Sequence, residues 1–193
     1  MASRLRLFVS AGPDLEPERE IIGQAIAKLP VPLGWVIKRT PHWNEPFTPA
    51  LEEVKTCDFY VLLLGADIQA PVGWELRAAQ QAGKKPLAFL KKAARTPAAR
   101  IFLRTTRIDW APFSSPQELG FLVQKALAEQ ILERAQALAL NLAQLEALSA
   151  FLKELSKKKP EEEAKRELGG AGEGGVIFAS EEVTMKGKGV GQR

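Results

Sequence analysis

The sequence predicts an α/β fold: a parallel sheet of four or five strands flanked by helices over residues 1–115, a helical extension over 116–159, and a charged hinge with a Gly-rich tail over 160–193. Two observations predict the sheet. Short apolar runs with abrupt ends recur at 5–10 (LRLFVS), 59–64 (FYVLLL) and 86–90 (PLAFL). Helical stretches separate them, and strand–helix alternation at this spacing makes parallel βαβ units with right-handed crossovers. A third observation, the change to leucines at helical spacing after Pro116, predicts the extension.

The first strand ends at Ser10, and Ala11-Gly12-Pro13-Asp14 is a turn. Asp14-Leu15-Glu16-Pro17-Glu18 opens a helix, because carboxylates and an early proline suit a helix N-terminus. Ile21, Ile22, Ala25, Ile26 and Leu29 give that helix an apolar face, and Pro30 and Pro32 stop it. A second strand covers 35–37. A loop rich in proline and aromatics follows at 40–49, then a short helix at 49–56. The 59–64 run shows no polar alternation, the pattern of a central strand covered on both faces. A helix at 74–82 ends at Gly83, the fourth strand is 86–90, and Ile101–Leu103 reads as the start of a short fifth strand.

In the extension, Ile131, Leu138, Leu145 and Leu152 are spaced by seven, and no glycine or proline interrupts 121–159. One long helix, broken at most once, is expected. Its first half packs on the α/β domain. Its second half either folds back as a hairpin or pairs with another chain. Past Pro160, residues 161–167 form a charged hinge. The tail carries two strand-like islets, 176–178 and 183–185, too small to bury a core alone.

Composition excludes several classes. Cys57 and His42 are each the only residue of their kind, so disulfide frameworks and Cys/His metal sites are not expected. A net charge of +4 is too mild to indicate nucleic acid by itself. There is no signal-peptide pattern at the N-terminus, and the apolar runs are far shorter than the ~20 residues of a membrane span, so a cytoplasmic protein is the expectation.

Open parallel sheets bind ligands at the carboxyl ends of their strands. Those ends place Ser10, Trp43 of the 38–47 loop, Asp67, Lys91 and Lys92 as candidate ligand-binding residues. Glu75 is expected at the loop-to-helix step after the third strand, on the rim of the same crevice. A carboxylate there could attack or stabilise an oxocarbenium-like sugar centre, with Trp74 and Trp43 stacking on a base or nicotinamide ring. The competing reading is a carboxylate in the first turn of a helix, facing the dipole. His42 has no local Asp or Ser partner and reads as a loop residue. No acidic residue falls between Leu76 and Ile108, so 77–107 is a basic stretch that reads either as phosphate contacts or as a solvated face. No Walker A pattern and no Gly-x-Ser-x-Gly elbow is present, and Gly187–Gly191 follows no clear strand.

Leu7-Phe8-Val9-Ser10, Asp14-Leu15-Glu16-Pro17-Glu18-Arg19, Cys57 to Gly65, Glu75 to Pro86, and Asp109-Trp110-Ala111-Pro112-Phe113 form an ordered set over about residues 4–128. The set resembles the TIR-like domains at the N-termini of bacterial STAND-type NTPases, with a flavodoxin/TIR-like sheet. The Gly73–Pro86 stretch is also similar to nucleoside 2-deoxyribosyltransferases, in which the matching glutamate is the nucleophile. In catalytic TIR domains a glutamate on the corresponding helix is needed for NAD cleavage, so both resemblances point to Glu75. The tyrosine-glycine loop usual after the third strand is absent, replaced by Ala66-Asp67-Ile68-Gln69-Ala70-Pro71.

Three functions follow in order. The first is a signalling or defence module acting through self-assembly or a partner protein, engaged through the 116–159 helix and tail, with nucleotide binding possible. The second is an N-glycosidase that uses Glu75 and takes NAD or a nucleoside as substrate rather than as cofactor. Nucleic-acid binding through 77–107 ranks last.

Overall fold

A computed structural model of the chain describes residues 4–31, 34–41 and 45–169, with side chains as far as 157. Five strands, β1 (Leu5–Ser10), β2 (Trp35–Arg39), β3 (Phe59–Leu64), β4 (Leu87–Lys91) and β5 (Trp110–Phe113), form one sheet in the order β2-β1-β3-β4-β5. Every neighbouring pair is parallel. This is the flavodoxin-like order, whose topological switch lies between β1 and β3. The helices are α1 (Glu16–Ala27), α2 (Thr48–Thr56), α3 (Ala70–Gln81), α4 (Pro97–Thr105), α5 (Pro116–Glu133) and α6 (Leu142–Gly169).

The alternation of side chains along each strand builds two cores. Leu7, Val9, Phe59, Val61 and Leu63 face one side, under Ile22 and Ile26 of α1 and Leu119, Val123 and Leu127 of α5. Phe8, Tyr60 and Leu62 face the other, under Val54 of α2 and Val72, Leu76 and Ala79 of α3. Both faces of β3 are therefore covered, and all six of its residues are buried. This is why its sequence shows no polar alternation.

Gly65 ends β3 where the chain passes close to the β1–α1 turn. A Cβ there would overlap the Asp14 carboxylate and lie 3.0 Å from Leu15 Cδ2. That carboxylate accepts the Ala66 N–H at 3.1 Å, tying the two turns together. Gly83 closes α3 with φ of 68°, a left-handed conformation that glycine adopts without strain.

Three expectations are corrected. Ile101–Leu103 lies inside α4, not in a strand; Thr96 caps that helix by accepting the Ala99 N–H at 3.2 Å, and Pro97 supplies its first turn. The fifth strand is Trp110–Phe113, and its Pro112 is tolerated because β5 is an edge. α3 begins at Ala70 rather than 74, with Pro71 in its first turn. Residues 161–167, expected as a charged hinge, are helical within α6, which extends to Gly169. The glutamates, Ala164 and Lys165 there are good helix formers.

The extension breaks once, between α5 and α6, where Ala139 takes a φ of 51°. Leu148 of α6 is fully buried in the same cluster as Leu127 and Ile131 of α5, with Phe151 and Leu152 packed beside it. The hairpin reading therefore holds for this part of the helix. Contacts divide the chain into a unit of residues 1–157 and a second of 158–193. The two islets of the tail lie outside the described residues. Among the described residues no helix is long and apolar enough to cross a membrane.

Candidate functional site

Ser10 is the last residue of β1, and Thr40 follows the last residue of β2. Val9 and Arg39 are register partners, so Ser10 and Thr40 leave the sheet side by side at its carboxyl edge. α3 lays Glu75 against them. The Thr40 hydroxyl donates to Glu75 Oε2 at 2.7 Å, and the Ser10 hydroxyl donates to the same oxygen. Thr40 Oγ1 in turn accepts the Ala11 N–H at 3.1 Å. A single carboxylate oxygen thus fastens β1, the end of β2 and α3.

Glu75 is fully buried, at 0% exposure. It stands in the second turn of α3, and the first turn holds no acidic residue. Neither expectation for it is met: it caps no dipole and it does not lie on an open rim. Its other oxygen, Oε1, is buried without a hydrogen-bond partner. Burial pushes its carboxyl up to about 7, against the lowering effect of the Ser10 and Thr40 hydroxyls and of the Arg19 charge. Arg19 is held nearby by donating to the Ala11 carbonyl at 2.5 Å. The phenol of Tyr60 is buried close to Ser10 and Glu75 without a well-formed hydrogen bond, and burial raises it above its ordinary range.

The other predicted residues scatter. Trp74 is 58% exposed and lines a shallow depression of about 210 Å³ with Ala70, Gly73 and Arg77. It points away from the buried carboxylate beside it in sequence, so the two do not share a crevice. Trp43 and His42 lie outside the described residues. Asp67 accepts the Thr96 hydroxyl at 2.5 Å, a bond that holds its exposed carboxyl below the ordinary range. Lys91 pairs with Glu18 of α1 at 2.6 Å. Lys92 is exposed and bonds through its backbone to the Phe113 carbonyl at 2.8 Å.

The basic stretch divides between the two ends of the sheet. Lys84 precedes β4 and donates to the Cys57 carbonyl at 2.6 Å, whereas Lys91 and Lys92 stand at the opposite, carboxyl end. Cys57 is buried, and burial raises its thiol to about 11, so it is not a reactive thiolate. Among the described residues no group of His, Cys, Asp and Glu is placed to hold a metal ion.

Sequence reading missed Thr40, Tyr60, Arg19 and the Glu18–Lys91 pair. Thr40 follows two cations and precedes a proline, with no local mark of importance. Only the β1–β2 register brings it to Ser10.

No protein-family model and no curated protein matches the chain. Among solved structures it is similar to the metal-soaked Flv1 flavodiiron core from Synechocystis sp. PCC6803, at 10% identity and a TM-score of 0.42. The match covers 81% of this chain and 37% of that one.

Proposed function

We propose that this chain is a TIR-like signalling or defence module that works by binding protein partners, copies of itself included, rather than by chemistry at Glu75. One observation carries the reading: Glu75 is sealed inside the domain and spent on its own Ser10 and Thr40, while its neighbour Trp74 faces solvent. A nucleophile must reach the reacting atom, and an aromatic platform must face the same ligand. Trp74 next to Arg77 instead offers an aromatic and a cation together, the residue types enriched at protein interfaces.

An N-glycosidase remains the second reading, favoured by a carboxyl near neutrality and an unpartnered Oε1 at the switch point of the sheet. Incubating the full chain with NAD and with nucleosides, as wild type and as Glu75→Gln, separates the two. The module reading expects no turnover from either protein. Turnover by the wild type that Glu75→Gln abolishes would establish the enzyme.

A further inference from the structure

The two edges of the sheet are unlike. β5 is four residues long and includes Pro112, which has no N–H to offer. β2 is five residues without proline, and among the described residues it pairs only with β1.

The backbone shows which groups of β2 are free. Gly34 gives its carbonyl to Leu5, and Thr40 gives its N–H to Val9. The N–H and C=O of one strand residue point to the same side, and successive residues alternate. The even residues therefore face β1, and Trp35, Ile37 and Arg39 turn their backbone groups outward. Ile37 is 44% exposed, a large apolar residue at the middle of that edge. Trp35, at the start of the strand, lines an open groove of about 650 Å³ together with Ile26, Ala27, Leu29 and Val31.

We infer that β2 is the edge by which two copies of this chain pair, antiparallel and about a two-fold axis through Ile37. The register is the one the free groups allow. Ile37 faces Ile37, and Trp35 of each copy faces Arg39 of the other, all in hydrogen-bonded positions. The side chains also agree. Two isoleucines meet at the axis, and each guanidinium meets an indole, a favourable cation–π pair. Trp35 packs on Phe59 of its own chain at 5.6 Å between ring centroids and also lines the groove. On the opposite face Lys38 lies across from Val36, so no like charges are directly opposed. Lys38 and Arg39 keep Glu53 and Glu16 as ion-pair partners at 3.4 and 3.3 Å. A C2 pairing closes on itself and leaves no free β2 edge.

This names a second copy as a partner within the module reading and rests on that reading only for what the pairing serves. The NAD and nucleoside assay tests the module reading alone; the mass of the chain tests the pairing alone. In sedimentation equilibrium the wild type is expected to reach twice the 21.2 kDa of the chain as concentration rises. Ile37→Lys, which opposes two cations at the axis, is expected to return it to the single mass, and Ile101→Lys, on the exposed side of α4, is not. Ile37→Cys is expected to be joined to its copy by a short bis-maleimide cross-linker, since hydrogen-bonded antiparallel partners sit about 5.5 Å apart at Cα. Cys57, being buried, does not compete. A wild type that stays at the single mass, a dimer unaffected by Ile37→Lys, or an Ile37→Cys variant that does not cross-link would each overturn the pairing.

Discussion

Thr40 and Glu75, thirty-five residues apart, meet at 2.7 Å in the interior of the domain, and the same threonine oxygen receives the Ala11 N–H. The hydroxyl is both donor and acceptor, so it links a helix carboxylate to the end of β1. Thr40→Val keeps the shape and removes both bonds. It is expected to lower unfolding free energy by about 2 kcal/mol, the range for leaving a buried polar group unsatisfied. Urea titration of the two proteins measures it.

The same carboxylate makes stability depend on pH. Glu75 titrates at about 7 in the fold, against an ordinary value of 4.5. Between those values the folded chain keeps a proton that the unfolded chain releases. The contribution is complete below the lower value and is lost as pH rises through 7. Its full size is about 3 kcal/mol, at ~1.4 kcal/mol for each tenfold change in proton affinity. In Glu75→Gln this dependence is expected to vanish. Urea titrations of both proteins at pH 5 and pH 8 should therefore show the wild type losing stability relative to Glu75→Gln as pH rises.

Lys91 and Glu18 form the second polar clasp of the carboxyl edge, with Glu18 buried and Lys91 partly exposed. Lys91→Ala leaves a buried carboxylate without its cation and is expected to destabilise by about 2 kcal/mol, less than a fully buried pair would lose. Adding Glu18→Gln should restore more than half of that loss, because the uncompensated charge is then gone. Thermal melts of the two single variants and the double variant decide it.

The fold-back of α6 rests on Leu148, fully buried, whereas Leu142 at the start of that helix is exposed. Leu148→Ala is expected to cost about 3 kcal/mol. Leu142→Ala should stay within about 0.5 kcal/mol of wild type, as for other surface changes. Equal effects in chemical denaturation would contradict the packing of the hairpin.

β1 and β3 were legible to the residue because each is an apolar run, buried throughout in β3 and at every residue but Arg6 in β1, with a sharp polar or glycine end. Ile101–Leu103 misled because three apolar residues carry no period, and the Thr96-Pro97 cap five residues earlier was the better signal. Glu75 was legible as a residue worth naming but not as a buried one. Its setting comes from Ser10 and Thr40, which are brought together by strand register and not by sequence proximity. Trp74 misled for the complementary reason: neighbours on a helix point about 100° apart, so a residue beside a buried one has good odds of facing water.

The sealed state of Glu75 is the claim on which the reading of function turns, and carbodiimide labelling with glycine ethyl ester, located by peptide mass spectrometry, tests it most directly. Exposed carboxylates such as Glu52, whose side chain is 65% accessible, are expected to react in the native protein, while Glu75 stays unmodified until urea unfolds the chain. Labelling of Glu75 in the native state at the rate of Glu52 would contradict the account and return Glu75 to the surface of a ligand crevice.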